Sequence, residues 1–339
     1  MQALTYVGEK AVEWREVPEP RLESDRAALV RPKVVSTCDL DALIVAGRSP
    51  FAPPFTLGHE CVAEIVELGD EVESLQTGEF VSVPFQISCG ECGPCRAGHS
   101  GNCASLPFMS TYGFGPAVQR YGGFLSDLVS VPYAEHMLVP LPAGLDPVAV
   151  ASASDNLSDA WRAVGPQLIE APRSPVLVIG GAGPGSIGLY AVAIAVALGA
   201  EAVVYLDADP RRRETAAALG AQVLADAPKR LGPYPITVDA GGDPALLALA
   251  LRATAPDGVC TSTAIYFGEQ PQLPLLAMYT NGVTFTTGRV HAREAMPQVL
   301  ELAVRGSLRP ERITSRVVRW DEARDALLDP PWTKLVFER

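Results

Sequence analysis

Four cysteines stand within fifteen residues, Cys89, Cys92, Cys95 and Cys103, in the spacing C-x2-C-x2-C-x7-C. A tetrahedral zinc ion takes four soft ligands, and short C-x2-C steps let tight turns present sulfurs to one ion. Gly90, Gly93, Pro94 and Gly98 supply those turns. With four thiolates no position is left for water or substrate, so the expected ion is structural. Disulfides are the competing reading of seven cysteines. The opening Met-Gln-Ala-Leu-Thr-Tyr-Val carries neither a basic segment nor an apolar export core, so a cytoplasmic location and metal-bound or core thiols are expected.

A second constellation, Gly183-Pro-Gly185-Ser186-Ile187-Gly188, is a G-x-G-x-x-G preceded by the apolar run Val176–Ile179 and followed by an apolar helical stretch. In that context glycines permit the turn and let backbone amides approach a dinucleotide pyrophosphate at the helix N-terminus. Asp207 lies nineteen residues beyond Gly188, at the end of the next apolar run. A carboxylate there accepts bonds from the adenosine ribose and repels a 2′-phosphate, so NAD is favoured over NADP. Arg211, Arg212 and Arg213 follow closely. A guanidinium can hold a 2′-phosphate, but these also read as the solvated first turn of a helix from Pro210, with Arg212 covering the adenine.

Three further ligand types are dispersed: Cys38, His59 in Gly-His-Glu60, and Asp155 in Ser-Asp-Asn-Leu. Alone, each has an ordinary reading, as a core thiol, a hydrogen-bonded imidazole and a helix cap.

The elements that must position these groups divide the chain. Residues 1 to about 150 alternate short β-like runs with Gly/Pro turns. From about 175, apolar strand runs alternate with helices expected near 188–198, 210–219 and 245–253, the signature of a doubly wound parallel sheet. A helix is expected over Ala295–Arg305. At 339 residues two domains are anticipated. The formal charge of −12, with no basic run longer than Arg211–Arg213, argues against nucleic acid and anionic membranes as partners. No unbroken apolar segment is long enough to cross a bilayer.

The order of these motifs resembles the zinc-containing medium-chain dehydrogenase/reductase (alcohol dehydrogenase) family. Cysteine near residue 40, Gly-His-Glu about twenty later, the cysteine lobe and then the dinucleotide motif all match, over essentially the whole chain. Aspartate in the Ser-Asp-x-Leu context resembles the formaldehyde-dehydrogenase-like bacterial branch. The resemblance implies an α/β architecture: a Rossmann doubly wound parallel sheet at 155–287, and a GroES-like β-rich catalytic domain at 1–154 completed by the return of 288–339. It implies zinc, substrate and nicotinamide held between those domains. It further implies two zinc ions, a structural one on the cysteine lobe and a catalytic one on Cys38, His59 and Asp155 with one position open. Glu60 would be a close neighbour or exchanging ligand, and Phe85 an aromatic wall of the substrate pocket. Hydride would pass between NAD and an alcohol, aldehyde or ketone, in a homodimer or homotetramer. Arg289 would touch the cofactor or the domain interface. His291, Cys61 and Cys260 read as structural.

One position departs from the family. The second residue after the first zinc cysteine usually carries a hydroxyl that starts the proton relay, and here it is Leu40. Leu43 occupies another relay position, and Asp41 reads as a structural hydrogen-bonding group. Three explanations follow. The proton leaves through water, Asp39 or Glu60; or the substrate is a conjugated C=C or C=N bond that is reduced; or the chain binds nucleotide without catalysis. Phe108, Tyr112 and Phe114 lie in the loop after the lobe as further candidates for the pocket.

Overall fold

In the computed structural model, which describes residues 1–115, 118–268 and 270–339, the strand–helix alternation after residue 175 forms a six-stranded parallel sheet. Its spatial order is Gln222–Leu224, Val203–Leu206, Val176–Ile179, Tyr234–Asp239, Thr254–Ser262 and Thr284–Thr286. In chain order this is 3-2-1-4-5-6, the doubly wound arrangement. All four residues of Val176–Ile179 are wholly buried. That is why the central strand reads as an unbroken apolar run rather than an alternation. Each such side chain contributes roughly 1.5–3 kcal/mol of burial. The helices Ser186–Ala197, Pro210–Ala218 and Pro244–Ala253 lie close to the ranges expected from periodicity. The fifth strand, by contrast, begins at Thr254, five residues before its apolar stretch at Val259. Pro256, Asp257 (φ +58°) and Gly258 interrupt the pattern there, and the pairing register shifts.

The chain divides into two units. One comprises Met1–Ser158, Val290–Val304 and Thr314–Arg339, the other Asp159–Arg289 and Arg305–Ile313. The first is the GroES-like β unit. Its larger sheet runs Arg316–Arg319, Leu335–Glu338, Ala28–Ser36, Glu60–Leu68, Phe80–Val83 and Val139–Pro140, with Val129–Val131 pairing to Ala28–Ser36. A second sheet joins Gln2–Gly8 to Ala11–Glu16 and Phe55–Thr56. The core between them includes Leu4, Val30, Val35, Ile65, Val83, Phe124 and Phe337. Among the described residues no helix is long and apolar enough to cross a membrane.

Register places the chemistry. Ser36 pairs with Glu60, and Ser36 also pairs with Val336. Cys38, two residues past Ser36, is therefore carried beside His59, and Lys334, two residues before Val336, is carried beside Glu60.

Candidate metal centres and dinucleotide loop

Sγ of Cys38, a ring nitrogen of His59 and a carboxylate oxygen of Asp155 lie within 4.8 Å of one another, and all three residues are buried in the β unit. Each is delivered by a different element. Cys38 caps the helix Asp39–Val45, where the Leu40 amide donates to its sulfur at 3.5 Å. The Asp41 carboxylate accepts from the Cys38 amide at 2.8 Å, which fixes that turn. His59 precedes the strand Glu60–Leu68. Gly58, at φ +92°, turns the chain into it, and a Cβ on Gly58 would lie 2.6 Å from the Leu125 amide nitrogen. Asp155 stands between the turn Ala151–Ser154 and the helix Asn156–Glu170. That junction is tied down by bonds from the Cys61 amide to the Ser154 hydroxyl (2.9 Å) and from the Phe85 amide to the Ser154 carbonyl (3.4 Å).

The donor set fits a cation. His59 has no exposed surface, yet neither ring nitrogen has a hydrogen-bond partner. Nε2 lies 3.5 Å from Asp155 and Nδ1 3.7 Å from Asp41. Ligands on a tetrahedral zinc with bonds of about 2.0–2.3 Å stand roughly 3.3–3.8 Å apart. Burial, then the carboxylates of Asp155 and Glu60, push the Cys38 thiol well up. Burial alone would lower His59, but Asp41 and Asp155 outweigh it and hold its pKa up. A divalent ion would relieve this crowding of thiol, imidazole and carboxylate by binding the thiol in its deprotonated form. Asp41 faces the imidazole from the other side, its carboxylate 3.7 Å from Nδ1 and beyond hydrogen-bond reach.

Glu60 is placed differently from a metal ligand. Oε1 accepts from the Asn156 amide at 2.9 Å, while Oε2 accepts from Lys334 Nζ at 2.6 Å and from the Ser36 hydroxyl. Both Glu60 and Lys334 are fully buried. Burial lifts the Glu60 pKa to about 7, against the lowering effect of Lys334. Lys334, Ser36 and Asn156 escape a motif search. Their only sequence signal is a lone lysine at the head of the apolar run Leu335–Phe337.

Phe85 stands 6.1 Å from the His59 ring, and Phe114 is nearer, edge-on at 4.8 Å. Phe51 packs on Phe114 at 5.3 Å and was not evident from the sequence. Phe108 is 77% exposed, and Tyr112 is core, its hydroxyl donating to the Ser130 carbonyl. Leu40 is buried beside the first ligand and brings no hydroxyl there. His291 accepts from the Gly101 amide at 3.1 Å. Cys61 and Cys260 are buried thiols with raised pKa, from burial.

The four lobe sulfurs also lie within 4.8 Å of one another, and every cysteine is free. Cys92 and Cys103 are 3.9 Å apart at sulfur, far beyond a disulfide bond of about 2.05 Å and close to a tetrahedral edge. Backbone amides point inward: Glu91 and Cys92 donate to Cys89 at 3.4 Å, Ala104 to Cys92 at 3.3 Å. Amides from Cys95 and Ala104 bring the Cys92 thiol down to about 6. Gly90, at φ +77°, is required, because a Cβ there would stand 2.7 Å from the His136 ring.

In the other unit, the helix Ser186–Ala197 starts from Gly185 in the left-handed region at φ +77°. Gly183, at φ +85°, has nothing within 4 Å of a would-be Cβ, which leaves an open backbone rim at the helix start. Asp207 ends the second strand, but its carboxylate faces inward. It accepts from Tyr205, the Asp209 amide and Arg212. Arg212 also donates to the Gly183 and Gly181 carbonyls at 2.7 and 2.5 Å.

The family comparisons agree with this geometry. The alcohol dehydrogenase GroES-like domain matches residues 24–143, and the zinc-binding dehydrogenase domain matches residues 186–305. The chain belongs to the zinc-containing medium-chain alcohol dehydrogenase family. Within that family it is 28% identical to the "Probable zinc-binding alcohol dehydrogenase Rv1895" of Mycobacterium tuberculosis, over 95% of this chain and 83% of that protein. It is 31% identical to the glutathione-independent formaldehyde dehydrogenase of Pseudomonas aeruginosa, but over 62% of this chain and only 55% of that protein. The solved alcohol dehydrogenase of Thermus sp. ATN1 superposes with a TM-score of 0.88 at 30% identity, covering 100% of this chain and 99% of that one. The zinc medium-chain alcohol dehydrogenases are NAD(P)-dependent oxidoreductases of alcohols and carbonyls, and this chain is one of them.

Proposed function

We propose that Cys38, His59 and Asp155 hold a catalytic zinc at which an alcohol or carbonyl substrate exchanges hydride with NAD. The buried imidazole of His59, without a hydrogen-bond partner and facing a thiol and a carboxylate within 4.8 Å, carries this reading. When bound, the ion polarises a substrate oxygen and favours its deprotonated form. The Asp41 carboxylate, 3.7 Å from Nδ1, would orient the imidazole once the ion is bound. Phe85, Phe114 and Leu40 give the surroundings an apolar character that keeps water from competing with substrate. Glu60, bonded to Lys334, Ser36 and Asn156, forms a charge-compensated buried pair behind the ligands and acts there as a close neighbour of the metal site. Cys89, Cys92, Cys95 and Cys103 are the ligands of a second, structural zinc. Gly183, Gly185, Ser186, Ile187 and Gly188 form the dinucleotide loop, and Asp207 and Arg212 form its adenosine end.

Leu40 favours a second reading, reduction of a conjugated C=C or C=N bond, in which the oxygen needs no proton relay. Purified protein should contain two zinc ions per chain and turn over a panel of alcohols and aldehydes with NAD. One zinc per chain would defeat the catalytic site, exclusive C=C or C=N reduction would favour the second reading, and NAD(H) binding without any turnover would leave a non-catalytic nucleotide binder.

The chain is proposed to assemble as a homodimer or homotetramer. Thr284–Thr286 is the edge strand of its sheet among the described residues, and Leu275, Leu276 and Tyr279 of the preceding helix are 66%, 78% and 86% exposed. Sedimentation of wild type and Leu276→Glu tests this. Seven free cysteines support a reducing, cytoplasmic setting.

A further inference from the structure

The adenosine end of the dinucleotide site is arranged in a way the motif does not announce. A carboxylate offers about four lone-pair positions. In Asp207 all four are filled. Oδ2 accepts from the Tyr205 hydroxyl at 2.6 Å and Arg212 Nε at 2.7 Å; Oδ1 accepts from the Asp209 amide and an Arg212 terminal nitrogen, both at 2.8 Å. Burial and the neighbouring carboxylate push the Tyr205 hydroxyl well up, so it remains a donor. The Asp207 side chain is wholly buried and that of Arg212 nearly so, at 10% exposure.

The pair is built into the loop. A Cβ at Gly180 would stand 2.2 Å from Asp207 Oδ2, and one at Gly185 would stand 2.6 Å from Arg212 Cδ. These two glycines make room for the protein's own ion pair. The next arginine, Arg213, donates to the Asp207 and Ala208 carbonyls at 2.7 Å, so a second cation flanks the same strand end.

We infer that Arg212 is the residue that sets dinucleotide selectivity, by cancelling the charge of Asp207 so that the site accepts the adenosine 2′-phosphate of NADP as well as the bare ribose of NAD. A lone carboxylate at this position discriminates in two ways, by accepting from the 2′-hydroxyl and by repelling a 2′-phosphate. Here the first is blocked by occupied lone pairs, and the second is removed because the bidentate pair is neutral. The inference rests on the reading of Gly183–Gly188 as a dinucleotide loop.

Binding of NADH and NADPH, followed by nicotinamide fluorescence, tests it in wild type, Arg212→Met and Asp207→Asn. Wild type should bind the two within about tenfold of each other. Arg212→Met frees the carboxylate and should weaken NADPH relative to NADH by about thirtyfold or more. Asp207→Asn leaves the Arg212 guanidinium uncompensated and should strengthen NADPH relative to NADH by about tenfold or more. A wild-type preference for NADH beyond about a hundredfold, or an unchanged ratio in Arg212→Met, would overturn the inference and leave the dinucleotide reading standing. If Arg212→Met fails to fold, the double variant Arg212→Met/Asp207→Asn decides: its site is as neutral as that of wild type, so a ratio moved by about tenfold or more would overturn the inference. Binding of neither nucleotide to folded wild type would remove both readings.

Discussion

Lys334 Nζ lies 2.6 Å from Glu60 Oε2, and neither side chain reaches solvent. Desolvating two charges costs several kcal/mol per ion, which their attraction and the added bonds from Ser36 and Asn156 must offset. The pair ties the head of the tail strand Leu335–Glu338 to Glu60, the first residue of the strand that His59 precedes.

Removing one partner therefore costs more than removing both. Lys334→Met should destabilise the fold by about 3–5 kcal/mol, because it strands a buried carboxylate. Adding Glu60→Gln should recover most of that loss. Urea unfolding of the two singles and the double gives the coupling directly.

Asp155→Ala should lower the zinc content by one ion per chain and cut turnover by about a thousandfold or more, by removing one of three ligands. Asp155→Cys offers a thiolate instead and should keep the metal. Metal analysis alongside steady-state rates checks both.

Cys103→Ser should remove the other ion while leaving the first site loaded. Structural zinc contributes apparent free energies of about 10–16 kcal/mol in small zinc-binding peptides, so even part of that would be visible as a lowered Tm. Chelator treatment of wild type should shift Tm in the same direction.

Asp209 caps the helix Pro210–Ala218 by accepting from the amides of Arg211 and Arg212 at 2.8 and 3.2 Å. The Arg211 hydrogen bond, working against slight burial, brings its pKa from 3.8 down to about 2. A depressed carboxylate contributes stability that is present above its unfolded pKa and lost as pH falls through the folded one. Asp209→Ala should cost about 1 kcal/mol at neutral pH. The difference should shrink as pH approaches 2, in parallel denaturation series.

The nucleotide unit was legible because its signals are local. Val176–Ile179 is buried on both faces, and the glycines that must turn follow at once. The cysteine lobe was legible for the same reason. The surroundings of His59 were not, since Lys334 meets Glu60 across 274 residues through a strand register that no pattern encodes. Phe114, a candidate only by its place after the lobe, stands edge-on to the imidazole, and Phe51 packs behind it from an irregular loop, where periodicity carries no information. Asp207 was found by spacing, but its occupied lone pairs depend on the rotamer of Arg212.

The polypeptide passes between the two units four times, at 158/159, 289/290, 304/305 and 313/314. The short excursion Arg305–Ile313 returns to the nucleotide unit, where the turn Pro310–Ile313 packs on the helix Ser186–Ala197. An expressed fragment 159–289 would lack that patch and expose apolar helix surface. No single contiguous segment contains the whole of either unit alone, so neither can be excised by one pair of cuts, and a graft of either must carry every one of its segments.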